Sequence, residues 1–207
     1  TRQKKAIPIG ELHILLNKDP QSEKLRRTQD IANLLFQFCG MPFSDLAHLE
    51  KSNLKQGLLK YNRLKTGTPM SIEVLESAHN AIGGLYNKTD ARSPDYPDYL
   101  FRILSGAYKR DEEEAYREYQ SALRRFNNDL KSLSRKLRIS SSVTSYTLRH
   151  SWATTAKYRG VPIEMISESL GHKSIKTTQI YLKGFELEER TKVNKLNYSY
   201  VCSFKMF

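Results

Sequence analysis

Apolar residues recur every three or four positions along most of this chain, which is the spacing that aligns them on one face of a helix. The longest such stretch covers residues 110–137, and its apolar positions are Ala115, Tyr119, Ala122, Phe126, Leu130, Leu133 and Leu137. Shorter stretches predict helices at residues 21–38, 43–49, 72–85, 145–158, 174–181 and 186–196, with one more between Pro162 and Gly171. The pattern therefore predicts a mainly helical chain.

A different pattern lies between residues 57 and 74. Two short apolar runs, residues 58–62 and 70–72, flank a segment in which Lys65, Gly67 and Pro69 are typical of a turn. These runs predict a β-hairpin or a small meander. The predicted fold class is accordingly mainly α with a small antiparallel β-sheet (α+β).

The 207 residues correspond to one domain with short extensions. Residues 1–20 begin with a basic run and contain the sequence Ile-Pro-Ile-Gly at residues 7–10, which is typical of a linker. We therefore expect residues 1–20 to be a lead-in from a missing upstream segment and residues 21–197 to form the domain. Residues 198–207 are apolar and aromatic and need a docking surface, either on a neighbouring protomer or on the domain's own core.

Charge narrows the class of partner. Lysine and arginine number 34 against 22 aspartates and glutamates, a formal net charge of +12. This excess favours a polyanion such as nucleic acid, although positive charge also keeps many proteins in solution. No apolar run approaches the roughly 20 residues of a membrane-spanning helix, so we expect no membrane partner. The two cysteines, Cys39 and Cys202, fit neither a disulfide framework nor a cysteine-based zinc site, which indicates a reducing, cytoplasmic setting.

Three short motifs carry candidate chemistry, and they are Leu148-Arg149-His150, Leu170-Gly171-His172 and, nine residues later, Tyr181. Cutting a DNA strand without a metal ion requires a nucleophile, a proton donor for the leaving oxygen and cations that hold the charge on phosphorus. A phenol such as that of Tyr181 can act as the nucleophile, the planar guanidinium of Arg149 can bind two phosphate oxygens at once, and the imidazole of His172 can donate a hydrogen bond. The ordinary alternatives are a packed tyrosine, a surface salt bridge and a core histidine.

In order and spacing these motifs resemble the tyrosine recombinase (phage integrase) family over about residues 22–197, which correspond to the catalytic domain of such enzymes. The sequences of residues 40–46 and 144–154 are most similar to those of integrases of Bacteroidetes mobile elements. The resemblance implies site-specific recombination of double-stranded DNA, in which a tyrosine cleaves and rejoins strands through a 3′-phosphotyrosine.

The resemblance also assigns roles to individual residues. Tyr181 would be the nucleophile, and Arg149 and His172 would stabilise the transition state. Lys65, at the predicted hairpin turn, would protonate the leaving 5′ oxygen; the alternative is a solubilising or phosphate-contacting lysine. Around the site we expect DNA-backbone contacts from residues that offer charge, hydroxyl groups or helix N-terminal amides: Lys60, Arg63, Lys173, Ser174, Lys176, Thr177 and Thr178.

Further implications concern partners and cofactors. The resemblance implies a missing upstream domain that clamps DNA, a homotetramer on paired DNA sites, and accessory DNA-bending or directionality proteins. It implies no metal or nucleotide cofactor, and a bacterial cytoplasmic location associated with the nucleoid.

Two positions depart from the family's pattern. Tyr146 stands three residues before Arg149, where the family generally has a histidine. We keep Tyr146 as a catalytic-site residue that donates a hydrogen bond, with helix packing as the alternative. Pro42 stands where the family has its first catalytic arginine, and the nearby Cys39 does not replace it. Losing one cationic clamp corresponds to about 3 kcal/mol, or roughly a hundredfold in rate.

The missing arginine leaves several interpretations open. Either another cation such as Arg27 or Arg63 reaches the phosphate, or the enzyme is slow, or it is inactive. Asp45 would orient a catalytic cation or cap the next helix, and His150 is interpreted as structural. The rival functions are a catalytically weakened DNA-binding descendant, a chromosome-dimer-resolving recombinase, and a protein-binding module with incidental basic charge.

Overall fold

The computed structural model describes residues 6–182, 191 and 194–199. In this part of the chain the elements are, in order, α1 (Ile9–Asn17), α2 (Glu23–Gln37), α3 (Phe43–Ala47), β1 (Leu54–Lys55), β2 (Leu58–Asn62), β3 (Pro69–Glu73), α4 (His79–Leu85), α5 (Glu113–Lys136), α6 (Ser145–Tyr158), α7 (Ile163–Ser169) and α8 (Ile175–Tyr181). Short 3-10 turns cover Lys51–Asn53 and Glu76–Ala78. The fold is mainly α with one small antiparallel sheet, as predicted.

Helices α2 and α5 contact each other and form the centre of the main core. The apolar stripe predicted for residues 110–137 is confirmed, because Phe126 and Leu130 of α5 are buried. Leu35 of α2 is buried in the same core, and Phe43 of α3 stacks on Phe126 with 4.8 Å between ring centroids. Burial of one helical face therefore determines how these helices pack.

The sheet has β2 between β1 and β3, with both pairings antiparallel. Leu59 pairs with Ile72 and Tyr61 with Met70. Leu59 and Ile72 are buried, whereas Lys60, on the opposite face of β2, is exposed. The predicted hairpin is confirmed, and β2 has the predicted bounds. Strand β1 was not predicted, because two residues carry no periodic signal.

Residues 9–17, which the sequence pattern assigned to a linker, form helix α1 and belong to the core. Leu15 is fully buried, and the backbone N–H of Ile7 donates to Ser151 Oγ of α6 at 2.8 Å. The linker prediction is wrong for this segment. Pro8 is the N-cap of α1 and does not interrupt a helix, since proline lacks only an N–H that the start of a helix leaves unpaired.

Leu15→Ala is expected to lower the free energy of unfolding by about 3 kcal/mol, because it removes fully buried apolar atoms and leaves a cavity. Urea unfolding followed by circular dichroism measures this loss. Ile9→Ala in the same helix is the control, since Ile9 is 68% exposed, and its effect is expected to stay below about 0.5 kcal/mol. Equal effects of the two substitutions would contradict the docking of α1.

A second, smaller core joins α6, α7 and α8. It buries Ala153, Ile166, Leu170 and Leu182. The Lys157 Nζ of α6 donates to the Leu182 carbonyl at 3.1 Å, which ties the end of α8 to α6. This core determines where α7 and α8 lie relative to α6.

Two predicted segments differ from the structure or lie beyond it. The helix predicted at residues 72–85 begins only at His79, because the first of these residues belong to β3. Most of the predicted helix at 186–196 and of the tail at 198–207 lies outside the described residues, although residues 194–199 are helical. Among the described helices none combines the length and apolar character needed to cross a membrane.

Candidate active site

Arg149 lies in the second turn of α6 and points into the protein, with 8% of its surface exposed. A reciprocal cap begins the helix: Thr147 N–H donates to Thr144 Oγ1 at 3.1 Å, and Thr144 N–H donates to Thr147 Oγ1 at 2.8 Å. The Arg149 guanidinium donates from Nη1 to the Gly40 carbonyl at 2.8 Å and from Nη2 to the Leu170 carbonyl at 2.7 Å. Main-chain oxygens from two distant segments thus orient the guanidinium.

Gly40 makes this approach possible. Its φ is +64°, and a Cβ there would lie 3.1 Å from Trp152 Cβ and 3.4 Å from Arg149 Cα. The chain between α2 and α3 therefore passes directly over α6, and a side chain at this position would push it away.

Arg63 follows β2 and is also buried, with 6% of its surface exposed. Its Nε donates to Asp45 Oδ2 at 3.2 Å, and its Nη1 donates to the Leu170 carbonyl at 2.6 Å. The Asp45 side chain is fully buried. Arg63 and Arg149 therefore share one carbonyl oxygen, which holds two positive charges side by side.

The shared carbonyl lies at the end of α7, where Leu170 is the C-cap. Carbonyls at a helix C-terminus lack partners within the helix and carry the negative end of its dipole, so they attract cations. Gly171 follows with φ +63°, and a Cβ there would lie 2.4 Å from Arg63 Cδ and 2.8 Å from Met70 Sδ. A glycine is required because any side chain would strike Arg63 and strain the turn.

His172 comes next, and its two ring nitrogens have different partners. Nδ1 lies 2.8 Å from Thr178 Oγ1, and Nε2 lies 3.3 Å from Arg149 Nη2. Because a guanidinium only donates, Nε2 is the acceptor and the hydrogen-bond network assigns the proton to Nδ1. Burial, followed by the positive charges of Arg149, Arg63 and Lys65, lowers the pKa of His172 to about 4. The imidazole is therefore neutral at pH 7.

The turn between β2 and β3 rests against the segment that carries His172. Thr66 and Thr68 each place Oγ1 3.4 Å from the Gly171 carbonyl as donors. Lys65 is exposed at the tip of this turn, and its charge acts on His172. The structure thus brings three predicted catalytic residues together: Arg149, His172 and Lys65.

The other predicted residues occupy the surroundings. Tyr146 lies in the first turn of α6 and is 44% exposed. Tyr181 is the last residue of α8, and its side chain lies outside the part that the structure describes. Ser174 caps α8 by accepting from the Lys176 N–H at 3.2 Å. The exposed residues among the predicted DNA contacts are Lys60, Lys173, Ser174, Lys176 and Thr177.

Two residues predicted as surface contacts are buried instead. Arg63 pairs with Asp45, and Thr178, with no exposed surface, contacts His172. Their burial reflects tertiary contacts that their polar sequence neighbours do not signal. Arg27, the other candidate for the missing cation, donates to the Arg102 carbonyl, outside this cluster.

Sequence reasoning missed part of the site. Tyr61, on the inner face of β2, has its pKa raised by burial and then by the charge of Asp45. For Asp45 the structure shows the alternative in which the carboxylate orients a cation. His150, interpreted as structural, is half-buried, and burial lowers its pKa. Main-chain acceptors such as the Leu170 carbonyl have no sequence signal, because every residue has a carbonyl.

The cluster has a positive balance. Arg63, Arg149 and Lys65 contribute three positive charges around neutral His172, against one carboxylate, that of Asp45. Such an arrangement binds an anion with several oxygens and stabilises further negative charge on it. Within the described residues no group of histidines, cysteines and carboxylates is arranged to hold a metal ion.

Because its pKa is lowered in the folded protein, His172 makes the free energy of unfolding depend on pH. Its folded pKa of about 4 is below the ordinary value of 6.5, so on acidification from about pH 6.5 to 4 the unfolded chain binds a proton that the folded chain does not. This contribution to stability is complete above pH 6.5 and lost near pH 4. After discounting for solvent screening we expect about 1 kcal/mol.

The measurement is urea unfolding of the parent and of His172→Gln between pH 4 and 8. The variant is expected to lose less stability on acidification. His48 and His150 also have pKa values lowered by burial, and their contributions cancel in the comparison. If the free energy of unfolding changes with pH in the same way for the two proteins, the lowered pKa of His172 is refuted.

Comparisons with known proteins identify the family and the fold. The profile of the phage integrase family matches residues 11–187. A probable integrase/recombinase protein of Methanocaldococcus jannaschii is 28% identical over 192 residues, which are 89% of this chain and 54% of that protein. Tyrosine recombinase XerA of Pyrococcus furiosus is 32% identical over 152 residues, 72% of this chain and 48% of that protein. The chain therefore spans about half the length of these relatives.

Solved structures show the same fold. The crystal structure of XerA recombinase matches with a TM-score of 0.65 at 22% identity, covering 94% of this chain and 65% of that one. A Tn1549 transposon integrase in complex with a circular intermediate DNA matches with a TM-score of 0.64 at 16% identity, covering 94% and 67%. The fold is that of a tyrosine recombinase catalytic domain, and with the profile match over residues 11–187 the chain belongs to the phage integrase family.

Proposed function

We propose that this chain is the catalytic domain of a site-specific recombinase that cleaves and rejoins double-stranded DNA through a 3′-phosphotyrosine. The observation that carries the proposal is the arrangement around the Leu170 carbonyl, which holds Arg63 and Arg149 side by side with His172 adjacent. Only two of these residues belong to the predicted catalytic motifs. The third supplies a charge that the chemistry needs.

Each group has a task in this reaction. The Tyr181 hydroxyl oxygen bonds to phosphorus and gives its proton to the neutral His172 Nε2, whose lone pair becomes available when Arg149 Nη2 turns from the ring to the phosphate. The 5′ oxygen leaves and takes a proton from Lys65, while Arg149 binds the non-bridging oxygens as negative charge develops. A 5′ hydroxyl of another strand then attacks the phosphotyrosine and reverses these transfers, so the bond energy is conserved without a cofactor. Tyr146 donates a hydrogen bond to the phosphate in this scheme.

DNA as the substrate is supported by the net charge of this chain and by solved complexes of similar proteins. The formal charge is +12, and the lysines Lys60, Lys173 and Lys176 are exposed, as phosphate contacts would have to be. Solved structures with the same fold include the Tn1549 integrase in complex with a circular intermediate DNA and the XerH site-specific recombinase bound to its difH substrate. We propose the same class of partner for this chain.

Assembly and biological context are also part of the proposal. By analogy with the family, we propose that an upstream domain clamps DNA and that four protomers act on paired sites, with accessory proteins setting direction. The sequences of residues 40–46 and 144–154 favour an integrase of a Bacteroidetes mobile element. The relatives named XerA keep chromosome-dimer resolution as an alternative context.

The test uses nicked duplexes with randomised sequence around the nick, so that the short cleaved end diffuses away and cleavage cannot reverse. The protein is expected to retain labelled DNA on a denaturing gel, and Tyr181→Phe is expected to retain none. Tyr158→Phe is the matched control, because Tyr158 lies at the end of α6 and is expected to leave the adduct unchanged. Sequencing the trapped DNA identifies the recombination site.

The absence of any adduct favours the second candidate, a DNA-binding descendant without cleavage. Pro42 in place of the motif's arginine is the observation that supports this candidate. It predicts salt-sensitive DNA binding with no adduct even when the upstream domain is present. An adduct that persists in Tyr181→Phe would contradict both candidates.

A further inference from the structure

We propose that Arg63 supplies the second guanidinium of the phosphate site, in place of the arginine that the family motif has at the position of Pro42. This inference rests on the proposed function and deepens it by identifying a catalytic residue. It also explains how a chain without the motif's first arginine keeps two clamping cations.

The position of Arg63 is the first argument. Its Nη1 donates to the Leu170 carbonyl at 2.6 Å, and Arg149 Nη2 donates to the same oxygen at 2.7 Å. Two guanidiniums that donate to the same oxygen are close enough together to contact one phosphate group. A phosphate bound by Arg149 therefore lies beside Arg63.

The orientation of Arg63 is the second argument. Asp45 accepts from Nε at 3.2 Å and the Leu170 carbonyl accepts from Nη1. Among the residues that the structure describes, no acceptor engages Nη2, so its N–H groups are available to a ligand. Asp45 thus acts as a positioning residue that fixes the guanidinium from one side.

The space around Arg63 is the third argument. Arg63 is buried, at 6% exposure, and Asp45 compensates its charge. Gly171 shows that the main chain accommodates this side chain, because a Cβ there would lie 2.4 Å from Arg63 Cδ. The same glycine precedes His172, so the turn at Gly171 positions both the Arg63 guanidinium and the His172 imidazole.

Competing cations do not fit this position. Arg27 donates to the Arg102 carbonyl, and its pKa is lowered by burial and then by the charges of Arg102 and Arg125. Lys65 is exposed at the hairpin tip and serves as the proton donor. Arg63 is the described cation that shares an acceptor with Arg149.

The test compares two substrates that carry the sequence recovered from the nicked pool. One has the ordinary scissile phosphodiester, and the other has a methylphosphonate, in which a methyl group replaces one charged oxygen. A cation that neutralises this charge matters less on the neutral substrate. The readout is the ratio of strand-cleavage rates on the two substrates, which does not change when only part of the protein is folded.

Three variants are measured. Asp45→Leu/Arg63→Met removes both members of the buried pair, so that neither charge is left alone, and Arg63→Lys keeps a charge if the double variant fails to fold. Arg27→Met is the matched control. The rate ratio of phosphodiester to methylphosphonate is expected to fall about a hundredfold in the double variant and about tenfold in Arg63→Lys, and to stay at the parent value in Arg27→Met.

The outcomes separate the two claims. Equal losses on both substrates, with an unchanged ratio, would refute the role of Arg63 and leave the proposed function intact. A ratio that falls in Arg27→Met and not in the Arg63 variants would assign the cation to Arg27 instead. No cleavage of either substrate by the parent protein would refute the proposed function, and this inference with it.

Discussion

Arg149→Lys is expected to lower the rate of DNA cleavage by about a thousandfold while changing DNA affinity by less than about threefold. A lysine has one ammonium group, which cannot donate to both the Gly40 and Leu170 carbonyls and bind two phosphate oxygens as well. The lost interactions are those made with developing charge, so catalysis suffers and ground-state binding does not.

The rate of adduct formation on the recovered nicked duplex measures the first quantity, and fluorescence anisotropy at fixed salt concentration measures the second. Arg159→Lys is the control, because Arg159 is exposed at the C-cap of α6, and both quantities are expected to stay at the parent values. Cleavage by Arg149→Lys within tenfold of the parent would mean that the guanidinium does not hold the reacting phosphate.

Asp45→Asn is expected to lower the free energy of unfolding by about 3 kcal/mol. The Asp45 side chain is fully buried and Arg63 keeps 7% of its side chain exposed. Removing the negative charge leaves a buried guanidinium without a counter-charge. Urea unfolding followed by the fluorescence of Trp152, the one tryptophan of the chain, measures the change.

Asp19→Asn is the matched control, because Asp19 pairs with Arg26 at 2.8 Å with side chains 60% and 54% exposed. Its effect is expected to stay below about 1 kcal/mol, since solvent screens surface pairs. The double variant Asp45→Leu/Arg63→Met is expected to recover most of the stability lost in Asp45→Asn, because no isolated charge remains. Similar losses for the buried and the exposed pair would show that the buried pair contributes little.

Much of this fold could be predicted because its helices bury one face. The stripe through Phe126 and Leu130 marks α5, and alternation along residues 58–62 marks β2. Helix α1 was missed because Pro8 and Gly10 resemble linker residues, whereas Pro8 caps a helix whose Leu15 is buried. Local signals of this kind do not say whether a segment docks.

The candidate site was predictable only where a motif carries it. Arg149 and His172 were found by their spacing, and the structure places them together. Arg63 was predicted as a DNA-backbone contact and, with Arg27, as a candidate for the missing cation, but nothing beside it in sequence reveals its partners, Asp45 eighteen residues earlier and Leu170 far downstream. Pairs formed by tertiary contacts leave no local pattern.

The anchoring of both arginines to main-chain oxygens has an evolutionary consequence. Gly40 and Leu170 hold the guanidiniums through carbonyls, which no substitution at position 170 removes. Side chains in the second core can therefore drift while the cations keep their places. An arginine at a different sequence position can then supply the cation, provided that its guanidinium reaches the same carbonyl oxygen. A motif search that requires an arginine at one fixed position would classify such proteins as inactive, although the folded site still contains the second cation.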